Sequence, residues 1–423
     1  MARRIEILGH FTYYRPELIG VGKYCGELCE WFARRGHGVS AICAPPHYPQ
    51  WVVQPPYRQG LYRREHLQGV KITRCPIWVP KSCKGLRRVL YAASFAASSF
   101  PALLAAAKKR PDVIFVVEPT FFNAITSLIV ARLCGAVGWL HIQDLEIDVA
   151  FETGQLRPKW LAGIGRAVEV AILKRFDVVS TVSGRMLSHL QRRGVTAEQS
   201  FLLPNWIDTT VVFPTQDVSP LRRELGLRDD ATVVLFSGSV GPKQGVANLV
   251  EAARVIRQHE EIQIVICGEG PHLARLKALA ADLPNVHFSH LQPADRINEL
   301  LNIADLHVLP QQAEVADLVM PSKLIGMLAS GRPVVATANP GTELADIVAQ
   351  CGIVVEPGVP AALAAGIVHL ASDRALRLRL GQAARNFALT HLSAEEILGR
   401  CEAFAIRAVE RIKGCRHDVL SRS

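Results

Sequence analysis

Short β-rich runs alternate with helical stretches along this chain, the alternation breaks once, and then it begins again. In the first half the runs are Ile5–Leu8, Val39–Ala44, Val113–Val117, Gly138–Ile142 and Val178–Val182, with a helix through Tyr24–Arg35 after the first. Strands separated by helices pair in parallel, and the helices cover the faces of the sheet. Around Asn205–Pro220 the stretch NWIDTTVVFPTQDVSP interrupts the rhythm with prolines and polar residues. Beyond it the strands read Thr232–Ser237, Ile262–Cys267, Val286–His290, Asp305–Leu309 and Pro333–Thr337. Helices Val246–Gln258, His272–Ala281, Ala294–Ile303 and Pro321–Ser330 lie between or beside them, and further helices fill the chain to about Lys413. The expectation is an α/β protein of two doubly wound, Rossmann-like domains, 1–209 and 210–390, facing each other across a cleft. A last helix over 391–415 would pack back on the first domain. Ligands of such sheets bind outside the carboxyl ends of the strands, so the loops there carry the search for chemistry.

At 423 residues, 49% hydrophobic and 20% charged, the chain is long enough to bury two cores. Its ten cysteines form no CxxC pair and no metal-ligand spacing, and the start MARRIEILGH runs directly into a strand; both point to a reducing cytosol. The net charge of +10 is uneven: residues 1–209 hold 27 Lys+Arg against 15 Asp+Glu, the rest 21 against 23. Nine cations between Arg58 and Arg88 (Arg58, Arg63, Arg64, Lys71, Arg74, Lys81, Lys84, Arg87, Arg88) face one acid, Glu65. Such a field draws polyanions, and an anionic membrane surface fits it better than nucleic acid, since no nucleic-acid-binding motif accompanies it. Val89 to Ala107 then runs nineteen residues without a charge, with eight alanines, three serines and Pro101. It reads as a helix that is either buried or laid on a membrane surface.

Glycines mark the loops. Gly20 and Gly22 follow the first strand and open a helix, where backbone N–H groups suit an anion. LFSGSVGPKQG repeats the theme with Gly238, Gly241 and Gly245, and Lys243 in that loop is a candidate diphosphate ligand. VICGEGPHL places Gly268 and Glu269 after the next strand, where a carboxylate accepts from a ribose hydroxyl or a base. In MPSKLIGMLASGRPVV, Pro321 suits a helix's first turn and puts Ser322 and Lys323 at its positive end, a place for phosphate. GWLHIQDLEIDVA gathers His141, Gln143, Asp144, Glu146 and Asp148 at a strand end; His141 is either a group that orients or deprotonates a hydroxyl or a structural histidine. There is no GxxxxGK[ST] loop, HExxH, GxSxG or Asp-x-Asp pair. A diphosphate site built from cations and backbone, without a metal, is the consistent reading.

With these loops in place the chain resembles the family 4 glycosyltransferases, nearest the colanic-acid type of fucosyltransferase of bacterial polysaccharide assembly. The likeness is carried by PELIGVGKYCGELCEWFARRGHGVSAICAPPHYPQW, LHIQDLEIDV, SGSVGPKQG and MPSKLIGMLASGRPVV. It implies the GT-B fold and a retaining, metal-independent transfer of a sugar from a GDP- or UDP-linked donor, with no cofactor. It also implies a lipid-diphosphate-linked saccharide as acceptor and peripheral attachment to the inner face of the plasma membrane. Fucose is the sugar this subgroup favours. Lys243, Gly268, Glu269, Ser322, Lys323 and Glu343 match donor-contact positions, Gly20 and Gly22 would close over the phosphates, and His141 or Asp144 would stand on the acceptor side as the catalytic candidates. Where many members carry two glutamates seven residues apart, this chain has Leu318 and Gly326; Ser239 stands for the usual arginine, and Gln143-Asp144 for the usual His-Asp pair. The missing glutamates motivate the alternative of a non-catalytic sugar-nucleotide-binding or scaffold subunit.

Overall fold

A computed structural model describes residues 3–17, 20–48, 50–58, 60–80, 85–118, 121–144, 159–215, 220–241, 244–312 and 321–420. The chain divides into two compact units, residues 1–204 with 398–423, and 205–397. Each is built on one sheet.

The first unit holds an eight-stranded sheet in the order β3-β4-β2-β1-β5-β6-β7-β8. Its strands are β1 (Glu6–Phe11), β2 (Gly38–Cys43), β3 (Arg63–Leu67), β4 (Val70–Arg74), β5 (Val113–Glu118), β6 (Val137–Ile142), β7 (Val178–Thr181) and β8 (Ser200–Leu202). All pair in parallel except β3 with β4. Helices α1 (Val21–Arg34), α2 (Leu86–Ala107), α3 (Phe121–Cys134), α4 (Lys159–Leu173) and α5 (Gly184–Arg192) follow β1, β4, β5, β6 and β7. Every residue of β5 and β6 is buried, as a strand covered on both faces requires. The strand order reverses between β2 and β5 on either side of β1, which puts the switch point at the carboxyl end of β1.

The second unit holds six parallel strands in the order β11-β10-β9-β12-β13-β14. They are β9 (Thr232–Ser237), β10 (Ile262–Cys267), β11 (Val286–Ser289), β12 (Leu306–Leu309), β13 (Val334–Thr337) and β14 (Gly352–Val355). Around them run α6 (Pro220–Glu224), α7 (Val246–Val255), α8 (Leu273–Leu279), α9 (Ile297–Asn302), α10 (Lys323–Ala329), α11 (Glu343–Cys351), α12 (Pro360–Ser372) and α13 (Arg374–Phe387). One core packs β9 and β10 under α7 and α12; a second packs α10, α11 and α13 against β13. The last helix, α14 (Ala394–Leu420), binds the first unit from Leu398 onward. Phe404 stacks on Phe201 at 4.3 Å and meets Trp139 edge-on, and His37 Nε2–H donates to Glu402 at 2.7 Å while its Nδ1 accepts from Ile5 N–H.

Three differences from the sequence reading have physical causes. The basic stretch contains a hairpin, β3 and β4, closed by Gln68 and Gly69, both at positive φ. Its Arg74 is 1% exposed: the guanidinium is held by Glu65 at 2.6 Å, by Ala44 O at 3.1 Å and by Arg15 O, so it belongs to the core and not to the surface field. Where only helices were expected after Thr337, Gly352–Val355 adds the edge strand β14; a Cβ at Gly352 would stand 2.0 Å from Val334 O, so the pairing needs a glycine there. Helix α10 starts two residues later than Pro321, at Lys323.

The run from Val89 to Ala107 lies in α2, a helix long and apolar enough by length and composition to cross a membrane. Tyr91, Phe95, Ala96, Ser99, Leu103 and Ala107 nevertheless turn one face of it into the core of the first unit, while Leu86, Val89, Leu90 and Leu104 remain exposed.

Candidate functional site

At the carboxyl edge of the second sheet the loops after β9 and β10 are locked together. Gly238 N–H donates to Cys267 O at 2.9 Å and Val240 N–H to Glu269 O at 2.8 Å. Side chains are excluded from the seam: a Cβ at Gly268 would stand 2.0 Å from Gly238 O, and one at Gly270 2.1 Å from Val240 O. Gly238 holds φ +127 and Gly270 φ +155, conformations that glycine adopts without cost. The glycines are therefore a packing requirement of this edge, and they leave backbone where side chains would otherwise stand.

Lys323 reaches this edge from the start of α10. Its Nζ lies 4.3 Å from the centre of the Phe236 ring, at the end of β9, and a Cβ on Gly238 would be 3.2 Å from it. The ammonium is buried and has no hydrogen-bond partner among the described residues. Burial pulls its pKa down to about 8, so it is still largely protonated at neutral pH. A cation–π contact offsets only part of the desolvation of a buried charge. An anion with acceptor oxygens would supply what the described residues do not.

The other candidates of this unit fall on the same edge with less engagement. Ser322 is exposed, sits in helical conformation, and its hydroxyl makes no cap bond to α10. Glu269 is exposed, 3.9 Å from His290 Nδ1. Glu343 opens α11, whose N-cap Thr342 accepts from Ala345 N–H. A Cβ at Gly326 would point at Leu301 at 3.2 Å and Ile207 at 3.9 Å, apolar surroundings for a position where the resemblance leads one to expect a carboxylate. Lys243 and Leu318 lie outside the described residues.

The carboxyl edge of the first sheet is built differently. His141 is 3% exposed at the end of β6, with Nδ1 2.9 Å from Ser180 Oγ and Nε2 2.9 Å from the Gln143 amide nitrogen. The amide donates to Nε2, which leaves the imidazole proton on Nδ1 for Ser180, whose oxygen also accepts from Trp139 Nε1–H at 2.7 Å. Burial drives the His141 pKa down to about 3. His141 is thus a neutral ring that holds Gln143, and Asp144 follows as the half-exposed carboxylate of the group. Glu146 and Asp148 lie outside the described residues.

Gly20 precedes α1 at φ +64, exposed, with nothing within 4 Å of a Cβ there, while Gly22 is buried against Glu17. Sequence reasoning passed over Glu17, which is buried in the same loop. Its Oε1 accepts from His47 N–H and Tyr48 N–H, both at 2.8 Å, and its Oε2 from Tyr14 N–H at 3.3 Å. It also missed Phe236 beneath the lysine, whose position in an apolar strand carries no outward signal. Among the described residues no group of three or more His, Cys, Asp or Glu is placed to hold a metal ion.

Comparison with known proteins matches residues 20–206 to the glycosyl transferase 4-like domain and residues 217–387 to the glycosyl transferases group 1. The putative colanic acid biosynthesis glycosyl transferase WcaI of Escherichia coli K12 is 39% identical over 414 residues, which cover 93% of this chain and 98% of that protein. Among solved structures, the sucrose-phosphate synthase of Thermosynechococcus elongatus aligns with a TM-score of 0.71 at 18% identity, over 99% of this chain and 100% of its own. Anabaena Alr3699/HepE, in complex with UDP and glucose, aligns with a TM-score of 0.68 at 17% identity, over 94% of this chain and 98% of its own. At these identities the structures speak to the fold, which is GT-B.

Proposed function

From the premise that this chain belongs to the group 1 glycosyl transferase family and is a glycosyltransferase, we propose that it transfers a sugar from a nucleotide donor to a lipid-diphosphate-linked saccharide. The transfer retains anomeric configuration, needs no metal ion, and serves exopolysaccharide or O-antigen assembly. The observation that carries the reading is Lys323, a buried ammonium without a partner among the described residues, beside a seam of glycine backbone. A diphosphate offers such a group the charge-assisted bonds it lacks, and a leaving diphosphate gains negative charge in the transition state, where a fixed cation helps most. Asp144, next in the chain to the Gln143 that His141 holds, is the group that receives the acceptor hydroxyl.

The donor is read as a GDP- or UDP-sugar, with fucose from GDP-fucose favoured by likeness to a colanic-acid relative. Attachment to an anionic membrane is supported by the ground around α2. Tyr62 O–H donates to Ser98 O and Trp78 N–H to Ser94 Oγ, which ties two exposed aromatic residues to the helix that also exposes Leu86, Val89 and Leu90; Arg58, Arg63, Arg64, Arg87 and Arg88 are exposed in the same segments. The chain would then work on the cytoplasmic face, where nucleotide sugars and the lipid-linked acceptor meet.

Incubation with GDP-fucose and with UDP-sugars on a glycolipid extract, followed by NMR of the new linkage, tests the reading. Transfer with the donor's anomeric configuration kept is expected. Inversion would overturn the mechanism, and nucleotide binding without transfer or donor hydrolysis would favour the non-catalytic alternative that Gly326 motivates.

A further inference from the structure

The long loop after β2 gathers aromatic rings that the reading so far leaves without a task. Tyr13, Tyr48 and Trp51 are each partly exposed, and they stand round the buried rings of His47 and Tyr91. Tyr13 stacks on His47 at 5.4 Å, Tyr48 meets Tyr13 edge-on at 5.7 Å and Trp51 at 6.2 Å, and Trp51 meets Tyr91 at 5.5 Å.

The cluster is held rigidly from below. The Tyr91 hydroxyl lies between His47 Nε2 at 2.7 Å and the Tyr13 hydroxyl at 3.0 Å, and His47 Nδ1–H donates to Pro45 O at 2.8 Å. Glu17, from the loop after β1, grips the backbone N–H groups of His47 and Tyr48. Trp51 itself sits at φ +54, a left-handed conformation that a bulky side chain adopts only where its surroundings enforce it. A packing cluster has no need to hold a half-exposed tryptophan in that state.

The rings stand at the carboxyl edge of β1 and β2, and the Asp144 carboxylate is close enough to act on Tyr48. Burial, then Glu17, then Asp144 push the Tyr48 phenol's pKa up. We infer that Tyr13, Tyr48 and Trp51 form a subsite for the C–H face of a neutral hexopyranose of the acceptor saccharide, with its hydroxyl edge turned to Asp144. Aromatic faces carry negative charge density and polarised C–H bonds carry positive, so a flat sugar face is bound by rings set at angles to one another, with few polar groups to fix its direction. The inference rests on the acceptor being a saccharide and on its binding to the first unit.

The test is saturation-transfer NMR with methyl α-D-glucopyranoside and methyl α-D-galactopyranoside, run beside nucleotide-induced thermal shifts on the same samples. Trp51→Gly removes the ring and also relieves the positive φ, so it spares the backbone; Trp51→Phe restores an aromatic face. In the wild type, saturation should reach the C–H protons of one sugar face. Trp51→Gly should weaken sugar binding about tenfold, Trp51→Phe should recover most of it, and the nucleotide shift should stay unchanged in both. Absence of sugar contact in the wild type, or contact that survives both Trp51→Gly and Tyr48→Ala, overturns the subsite while a preserved nucleotide shift leaves the glycosyltransferase reading standing. Loss of the nucleotide shift in the wild type would instead strike the donor site.

Discussion

The two sheet edges solve opposite problems. On the first unit the buried polar groups described above close on one another: His141 on Ser180 and Gln143, Glu17 on three backbone N–H groups, His47 on Pro45 and Tyr91. On the second, Lys323 is buried beside glycines with only the Phe236 ring for company among the described residues. The satisfied edge is preorganised and keeps its shape without a ligand. The other keeps a charge in reserve, at a cost to stability that a diphosphate would reverse. On the proposed reading, one fold carries on its two halves a preformed template for a neutral sugar and a poised site for an anion.

The sharpest way to break that contrast is to remove the stored charge. Lys323→Met should weaken GDP or UDP binding about 100-fold by calorimetry, because a partner of a buried charge pair is lost. The same variant should stabilise the ligand-free chain by about 1 kcal/mol or more in denaturant melts, since an apolar side chain replaces a buried ion that has no hydrogen-bond partner among the described residues. On the other edge, Asp144→Asn should cut transfer about 100-fold in single-turnover assays while leaving nucleotide affinity untouched. A parallel loss of nucleotide binding would blur the division of labour.

Two glycine substitutions separate packing from conformation. Gly268→Ala should cost about 3 kcal/mol, as its Cβ meets the Gly238 carbonyl in an immovable seam. Gly20→Ala has open space and loses only its positive φ, about 2 kcal/mol. Chemical denaturation of both variants gives the comparison.

Acidity distinguishes the edges last. The folded Lys323 pKa of about 8 lies below its ordinary 10.5, so between those values the unfolded chain binds more protons and folding gains stability as pH rises. Nucleotide affinity runs the other way, falling about tenfold per unit once pH exceeds the free ammonium's pKa. His141, lowered to about 3 from 6.5, contributes stability above 6.5 that is lost as pH falls through that window. A rate profile with no inflection near 6.5 assignable to His141 is the expected kinetic counterpart.

Much of this was legible in the sequence where backbone alone decides. The apolar runs of β1, β5, β6, β9, β10, β12 and β13 and the glycines at 238, 245 and 268 announce a sheet and its edge, because parallel strands are buried on both faces and tight seams admit no side chain. The hairpin of β3 and β4 was hidden under its cations, although Gln68-Gly69 is its turn signal, and Arg74 looked like surface until its three partners in the fold were known. Lys323 stood out from its neighbours, yet its burial over Phe236 is a tertiary fact. So is the capping of His141 by Gln143, which changes an apparent base into a support.

The most direct measurement is the titration of Lys323 itself, followed by the 13Cε NMR resonance assigned through its loss in Lys323→Arg, with and without GDP or UDP. A midpoint near 8 in the free protein, moving back toward 10.5 when the diphosphate binds, is the expected result. A lysine that titrates near 10.5 in both states would contradict a charge held in reserve and, with it, the donor site built around it.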